Sequence, residues 1–133
     1  MRFLLDTAAC IDLIRRRSPR ILARLRKHRP GDIAISSITL AELWHGVARS
    51  RDPEGNGVAL GEFLLPLEVV DFGEDAALAY GAVRASLEAA GIPIGSMDTL
   101  IGAHAASLDV PLVTSNTREF RRIRSLKVVD WSR

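Results

Sequence analysis

The chain of 133 residues is long enough for one domain with a buried core and too short for two. Hydrophobic residues make up 47% of it, which excludes an intrinsically disordered chain, and no apolar run reaches the roughly 18 residues that cross a membrane. The net charge is only +2, but residues 1–29 hold nine Lys and Arg against two acids, residues 30–117 three against twelve, and residues 118–133 six against two. The basic ends suit a polyanion-binding rim around an acidic, metal-binding centre, or they are simply solvated helix faces.

The sequence also limits where the protein is expected to work. Its single cysteine, Cys10, excludes an internal disulfide and suits a reducing compartment such as the cytoplasm. The apolar residues 3–5 are too few for the core of a signal peptide, and Asp6 follows them directly. We therefore expect a cytoplasmic protein without a membrane segment.

The amino-terminal part begins with a short strand and two helices. An apolar strand is predicted at residues 2–5, and Thr7 can cap the helix that follows it. Pro19 breaks that helix, and a second one is predicted over about 20–29.

The middle of the chain repeats this alternation. A strand is predicted at residues 33–35 and a helix over about 39–51. The run DPEGNG at 52–57 is typical of a loop, which leads through a short helix to a strand at 67–71.

The carboxyl-terminal part completes the pattern. A long helix at 74–90 ends at Gly91, and Ser96 can cap a helix that runs to about Leu108. The remaining predicted elements are a strand at 111–114, a short basic helix at 117–123 and a strand at 126–129. Strands that alternate with helices in this way predict an α/β fold with a mainly parallel sheet covered on both faces.

Four oxygen-bearing side chains stand at junctions between strands and helices. Asp6 and Asn116 each follow a predicted strand, whereas Glu42 and Asp98 each lie in the first turn of a predicted helix. These positions fall on the same edge of a parallel sheet, which is where such sheets bind ligands. Converging oxygen ligands of this type suit Mg²⁺ or Mn²⁺.

Each of these residues also has an ordinary structural explanation. Asp6 and Asn116 are good helix caps, Glu42 completes a capping box with Thr39, and the helix dipole alone favours Asp98. Helix capping alone explains four such residues on one edge of the sheet less well than metal binding does. Acids gathered without a nearby Lys or Arg repel one another unless a cation is present.

Other chemistries find less support in the sequence. His28, His45 and His104 lack the spacing of a zinc site, and the last two lie within predicted helices as packed or surface residues. No Ser-His-Asp order is evident, and neither common glycine-rich phosphate loop is present. Trp44 and Trp131 are typical of core or interface aromatics.

Four motifs resemble those of the PIN-domain family, and within it the VapC-like toxins of bacterial and archaeal toxin–antitoxin pairs. They are FLLDT, SSITLAELWHGV, IPIGSMDTLIGAHA and LVTSNTREFRRIRSLKVVDW. The third and fourth together are quite specific, whereas the first alone is weak. The resemblance covers nearly the whole chain and implies one nuclease domain over residues 1–133, with a three-layer fold of four or five mainly parallel strands flanked by helices.

The resemblance also implies a site and a reaction. The family's three acidic ligands correspond to Asp6, Glu42 and Asp98, while Asn116 stands where many members carry a fourth aspartate and others an asparagine. The implied activity is that of an endoribonuclease dependent on Mg²⁺ or Mn²⁺. Asp6 and Asp98 would bind the metal directly and Glu42 directly or through water. Asn116 and Thr114 would orient a water or a phosphate oxygen.

The implied partners are an RNA substrate, a small VapB-like antitoxin and a second copy of the chain, with Trp44 in or near the groove that holds the antitoxin. The basic segments would bind phosphates, and single-stranded or looped RNA is the expected target. Two alternatives stay open. Because Asn116 replaces an acid, the protein could be a catalytically weak RNA-binding module, and it could also be a stand-alone processing nuclease without an antitoxin.

Overall fold

Five short strands form one parallel sheet at the centre of the molecule. The computed structural model describes residues 1–16 and 18–133. The strands are β1 (Phe3–Leu5), β2 (Ile33–Ser36), β3 (Glu68–Val70), β4 (Leu112–Val113) and β5 (Val128–Val129). Their order across the sheet is β3-β2-β1-β4-β5, and every neighbouring pair is parallel. The predicted strands are confirmed, and β1 lies at the centre.

Seven helices surround the sheet in the part of the chain that the structure describes. They are α1 (Thr7–Ile14), α2 (Pro19–Leu25), α3 (Ser37–Ala48), α4 (Pro53–Leu64), α5 (Glu74–Ala89), α6 (Ser96–Leu108) and α7 (Thr117–Phe120). No helix within those residues is long and apolar enough to cross a membrane.

Both faces of the sheet are buried, because successive side chains of a strand point to opposite sides. On one face, Leu4 packs with apolar residues of α5, α6 and α7, and on the other Leu5 packs with apolar residues of α1 to α4. Both leucines are fully buried. This explains the uninterrupted apolar run of β1 and confirms the expected three-layer α/β architecture.

The DPEGNG segment is helical, so the prediction of a loop there is wrong. Asp52 caps α4 by accepting a hydrogen bond from the Gly55 N–H at 3.1 Å, and Pro53 occupies the first helical turn. Proline fits that position because its missing N–H would have no partner there. A side chain at Gly55 would displace the Asp52 carboxylate and so disturb this cap.

Helix α3 begins two residues earlier than predicted. Ser36 caps it by accepting a hydrogen bond from the Ile38 N–H at 3.1 Å. Glu42 therefore lies in the second turn of α3, and the expected capping box between Thr39 and Glu42 is not formed.

Other helix ends also differ from the prediction. Asp6, not Thr7, caps α1, and Gly95 takes the cap position of α6 so that Ser96 is already helical. Helices α2 and α7 end at Leu25 and Phe120, earlier than expected.

Candidate active site

Asp6 stands at the carboxyl end of the central strand β1 and is almost completely buried, with 3% of its surface exposed. Its Oδ1 accepts a hydrogen bond from the Ala9 N–H at 2.8 Å. The capping role that the sequence allowed for Asp6 is therefore real. The cap uses only Oδ1, so Oδ2 of the ionised carboxylate can accept from another group or bind a cation.

Burial raises the pKa of Asp6 to about 6 from an ordinary value of 3.8. Hydrogen bonding by the Thr114 hydroxyl and the Ala9 amide lowers this pKa, and the charges of Asp98 and Asp12 raise it. Thr114 is itself buried and directly follows β4, the strand beside β1. At neutral pH Asp6 is mostly ionised, but its pKa is close enough that a neighbouring charge would change its protonation.

Glu42 is held by a side chain from another helix. Thr7 Oγ1 donates a hydrogen bond to Glu42 Oε1 at 2.6 Å, and the hydroxyl oxygens of Thr7 and Thr39 lie 3.3 Å apart. Thr39 is fully buried. Since Thr7 directly follows Asp6, this network brings the Glu42 carboxylate to the start of α1.

Asp98 joins the acids into one electrostatic cluster. It lies in the first turn of α6 and is partly buried. Burial is the main cause that raises its pKa, and the charges of Glu119 and Glu42 raise it further. Asp98 in turn raises the pKa of Asp6.

Glu119 belongs to this cluster and was missed by the sequence analysis. It lies in the first turn of α7, and its Oε2 accepts a hydrogen bond from Asn116 Nδ2 at 2.9 Å. An acid within a strongly basic segment is typical of a surface residue. The one available signal was its spacing from Asn116, because residues three apart share a helical face.

Asn116 occupies the cap position of α7, but its side chain makes no capping hydrogen bond. Its amide donates to Glu119 instead, and its backbone N–H donates to Thr114 Oγ1 at 2.9 Å. The Thr114 hydroxyl oxygen thus accepts a hydrogen bond from the Asn116 N–H, and the hydroxyl proton can be donated to Asp6. The explanation of Asn116 as a mere helix cap is therefore wrong.

No basic side chain of the described residues forms an ion pair with Asp6, Glu42, Asp98 or Glu119. Among residues 1–16 and 18–133, the ion pairs join other residues and include none of the four. Mutual repulsion contributes to the raised pKa values of Asp6 and Asp98. Carboxylate oxygens are the donors that hard divalent cations prefer, so the donor set fits Mg²⁺ or Mn²⁺.

The carboxylates do not form a ready-made metal cage. Within the described residues, no three Asp, Glu, His or Cys side chains are close enough together to hold a metal ion. Three of the acids are instead hydrogen-bonded to neighbouring protein groups, namely Asp6, Glu42 and Glu119. A bound cation would have to draw these side chains inward.

The histidines and tryptophans occupy other surroundings. His28 stacks on the buried Trp131 with ring centroids 5.5 Å apart, His45 is exposed on α3, and His104 is buried in the core. Trp131 is a core aromatic, as expected. Trp44 is 44% exposed and lies against Gly57 of α4.

A groove of about 660 Å³ lies between α1, α3 and α4 and reaches the acidic cluster. Thr7, Glu42 and Met97 line it beside the acids, and Arg15 and Arg49 also border it. Its apolar lining consists of Ile11, Ile14, Leu43, Val47, Ala59 and Leu60.

Comparison with known families decides what kind of protein carries this site. The model of the PIN domain matches residues 3–126, a range that contains all four acids. The chain belongs to the PIN domain family. The residues matched by the family model thus include the three acids predicted from the sequence, Asp6, Glu42 and Asp98.

Two relatives match this PIN chain along its full length. The tRNA(fMet)-specific endonuclease VapC of Shigella flexneri is 38% identical over 132 residues, which cover 99% of each chain. Ribonuclease VapC2 of Rickettsia felis is 39% identical over 134 residues, which cover 100% of each. A solved structure of DNA-bound VapBC from Salmonella typhimurium matches with a TM-score of 0.94 and 39% identity, over 98% of both chains.

Proposed function

We propose that this PIN protein is a metal-dependent endoribonuclease that hydrolyses RNA phosphodiester bonds and acts as the toxin of a toxin–antitoxin pair. The observation that carries the proposal is the cluster of four acids at the carboxyl edge of the sheet, without a basic partner among the described residues. A divalent cation held by such oxygens is a common means of phosphodiester hydrolysis. The names of the two relatives point to the same chemistry.

The proposed cofactor is Mg²⁺ or Mn²⁺. Asp6 and Asp98 would bind it directly, and Glu42 and Glu119 would bind it directly or through water. When bound, the cation would polarise the scissile phosphate and make a water molecule more acidic. The hydroxyls of Thr7 and Thr114 would orient the carboxylates of Glu42 and Asp6.

No protein side chain is proposed to attack the phosphate. Cys10, the single cysteine of the chain, is fully buried. Burial raises the pKa of the Cys10 thiol, and the charge of Asp6 raises it further. A buried neutral thiol is a poor nucleophile, so water is the expected attacking group.

A transfer RNA is the first substrate to test. Relatives from Shigella flexneri and Salmonella typhimurium are named for tRNA(fMet), and the loops of a tRNA present unpaired bases. Exposed basic residues in and after α7 would bind phosphates on the Glu119 side without reading sequence. They are Arg118, Arg121, Arg124 and Lys127. A cytoplasmic location follows from such a substrate.

A small VapB-like antitoxin is the proposed protein partner, since VapC-like toxins work in such pairs. The apolar groove between α1, α3 and α4 suits an extended tail, because it begins beside Glu42 and would lead that tail to the acids. Trp44 does not line this groove but lies against Gly57 of α4.

A homodimer is also proposed, through the outer face of α3 and α4. Trp44 on α3 exposes 44% of its surface, and Val58 in α4 and Leu65 just after it expose 61% and 84%. Val58 and Leu65 lie two turns apart on one helical face. A two-fold symmetric contact would bury this apolar stripe.

The rival function, a catalytically weak RNA-binding module, rested on the missing acid at Asn116. Glu119 weakens that argument, because it supplies a fourth carboxylate through its contact with Asn116. The stand-alone nuclease differs from the toxin only in lacking an antitoxin. Growth arrest on expression, relieved by a small protein encoded beside the gene, would distinguish the toxin.

Cleavage of purified tRNA(fMet) with Mg²⁺ tests the proposed activity. We expect discrete fragments from the wild type and none after chelation or in Asp98→Asn. Asp109→Asn is the matched control, because Asp109 is an exposed acid at the other end of α6 in the left-handed conformation that asparagine tolerates. Cleavage by Asp98→Asn at the wild-type rate would refute the site, and RNA binding without cleavage would favour the RNA-binding module.

A further inference from the structure

A buried histidine connects the two helices that carry Glu42 and Asp98. His104 on α6 is 1% exposed, and its Nδ1 lies 2.8 Å from Oγ of Ser36. Ser36 ends β2, caps α3 and is fully buried. The proposed chemistry does not use either residue, so this contact needs a separate explanation.

The hydrogen bonds around the pair determine where its protons lie. Ser36 Oγ already accepts from the Ile38 N–H, so its own proton is available to His104 Nδ1. With Nδ1 as the acceptor, the proton of the neutral ring lies on Nε2. Burial lowers the pKa of His104, which favours this neutral form. The Ser36 hydroxyl thus gives Nδ1 a hydrogen-bond partner inside the core.

The contact stands at a similar distance from both acids. Glu42 lies less than two turns after Ser36 along α3, and Asp98 less than two turns before His104 along α6. Each interval is about 9 Å at the rise of an α-helix. The Phe72 ring packs edge-on against His104, with ring centroids 5.3 Å apart, and supports the contact from the β3 side.

We propose that His104 is a positioning residue of the metal site, whose hydrogen bond with Ser36 fixes α6 against the start of α3 and so sets the separation of the Asp98 and Glu42 carboxylates. The proposal rests on the metal-dependent function proposed above. An apolar side chain could fill the same space, but apolar contacts are not directional and would not fix the rotation of α6. A misplacement of about 1 Å can cost an enzyme on the order of 100-fold in rate.

Calorimetric titration of the full-length protein with Mn²⁺ alone tests the role without needing a substrate. His104→Leu removes the acceptor, whereas His104→Asn keeps an amide oxygen near the place of Nδ1. We expect His104→Leu to weaken Mn²⁺ binding at least about tenfold and His104→Asn to recover most of it. With tRNA(fMet), kcat should fall in the same order while KM changes little, because the phosphate-binding residues are unaltered.

Two further variants separate positioning from loss of stability. Ile101→Val trims a fully buried residue of the same helix and leaves the hydrogen bond intact. It should lower the melting temperature without weakening Mn²⁺ binding. Ser36→Ala removes the other half of the bond and should reproduce the Mn²⁺ defect, which keeps the test available if His104→Leu fails to fold.

Wild-type Mn²⁺ affinity in His104→Leu or in Ser36→Ala would overturn the positioning role. So would an equal loss of affinity in Ile101→Val at an equal loss of melting temperature. Asp98→Asn distinguishes the two levels of the proposal. If the wild type itself binds no Mn²⁺ and matches Asp98→Asn, the metal-dependent function fails. If Asp98→Asn loses Mn²⁺ binding and His104→Leu keeps it, only the positioning role fails.

Discussion

Thr7 Oγ1 donates a hydrogen bond to Glu42 Oε1 across 2.6 Å, and this bond ties the residue after Asp6 to a carboxylate on another helix. Hydrogen bonds to ionised acceptors are stronger than those between neutral groups. The position of Glu42 therefore depends on where α1 begins. The hydrogen bond links the β1–α1 junction to α3, the helix that follows β2.

Thr7→Val should slow RNA cleavage by roughly tenfold and lower the free energy of unfolding by about 1 kcal/mol, because Glu42 loses its donor while the side-chain shape is kept. Single-turnover cleavage and urea unfolding measure the two effects. Thr7→Ser keeps the hydroxyl and is the control. Equal rates for Thr7→Val and wild type would show that the bond does not orient Glu42.

Mn²⁺ or Mg²⁺ should raise the melting temperature, because a ligand that binds only the folded state stabilises it. At a hundred times its Kd, the ion should add about 2.7 kcal/mol. Asp98→Asn should lose this stabilisation and remain folded, as thermal unfolding with and without metal would reveal. Asp109→Asn should respond like the wild type, and an undiminished response in Asp98→Asn would remove Asp98 from the metal site.

The pKa of Asp6 predicts how the metal-free protein responds to pH. Its folded value of about 6 exceeds the ordinary 3.8, so the folded state holds the proton more tightly. Asp6 therefore makes the free energy of unfolding fall as pH rises from about 4 to about 6, by on the order of 3 kcal/mol, with no further change above.

Urea unfolding of chelator-treated wild type and Asp6→Asn across this range isolates the effect. The difference between the two proteins should grow in favour of Asp6→Asn as pH rises through 6. Wild-type Mn²⁺ affinity should increase over the same range, since the ion competes with the proton. A stability difference independent of pH would contradict the raised pKa.

Asn116→Asp replaces an amide that donates to Glu119 with another carboxylate. We expect the wild type to hold one metal ion tightly, with a second arriving alongside the substrate phosphate. The added charge should tighten a second Mn²⁺ binding event, and without metal it should raise the pKa of a neighbouring carboxylate. Calorimetric titrations at matched pH and salt compare the proteins, and identical isotherms would place Asn116 outside the metal site.

Light scattering at micromolar concentration should give the mass of a dimer. Leu65→Lys should shift the protein toward the monomer, because a charge would enter the proposed apolar interface. Leu78→Lys is the matched control, since Leu78 is 79% exposed on α5. A monomer mass for the wild type, or equal effects of both variants, would count against this interface.

Local patterns predicted the fold and the positions of some candidate site residues. The positions of Asp6 and Asp98 were predicted correctly because strand ends and helix starts meet at one edge of a parallel sheet. Glu42 was predicted in the first turn of α3 but lies in the second, because Ser36 rather than Thr39 caps this helix. The turn-forming residues of DPEGNG concealed a helix start in which Asp52 is the cap.

Glu119 could not be predicted from its neighbours along the chain. Its role depends on α7 lying beside the amino-terminal turn of α6, where it raises the pKa of Asp98. The contact of Ser36 with His104 could not be predicted for the same reason, because the two residues are 68 positions apart in sequence. Such relations arise from the strand order of the sheet.

That strand order has a consequence for the newly made protein. β1 pairs with β4 through Leu4 and Leu112, which stand near opposite ends of the chain. The ribosome releases the amino end first. The pairing of β1 with β4 must therefore wait until β4 has been synthesised, and it closes a long loop. Asp6 therefore lacks Thr114, and Asp98 lacks Glu119, until the last part of the chain is synthesised. A nascent or prematurely terminated chain therefore holds only part of the candidate site, and the proposed nuclease activity would be confined to the finished molecule.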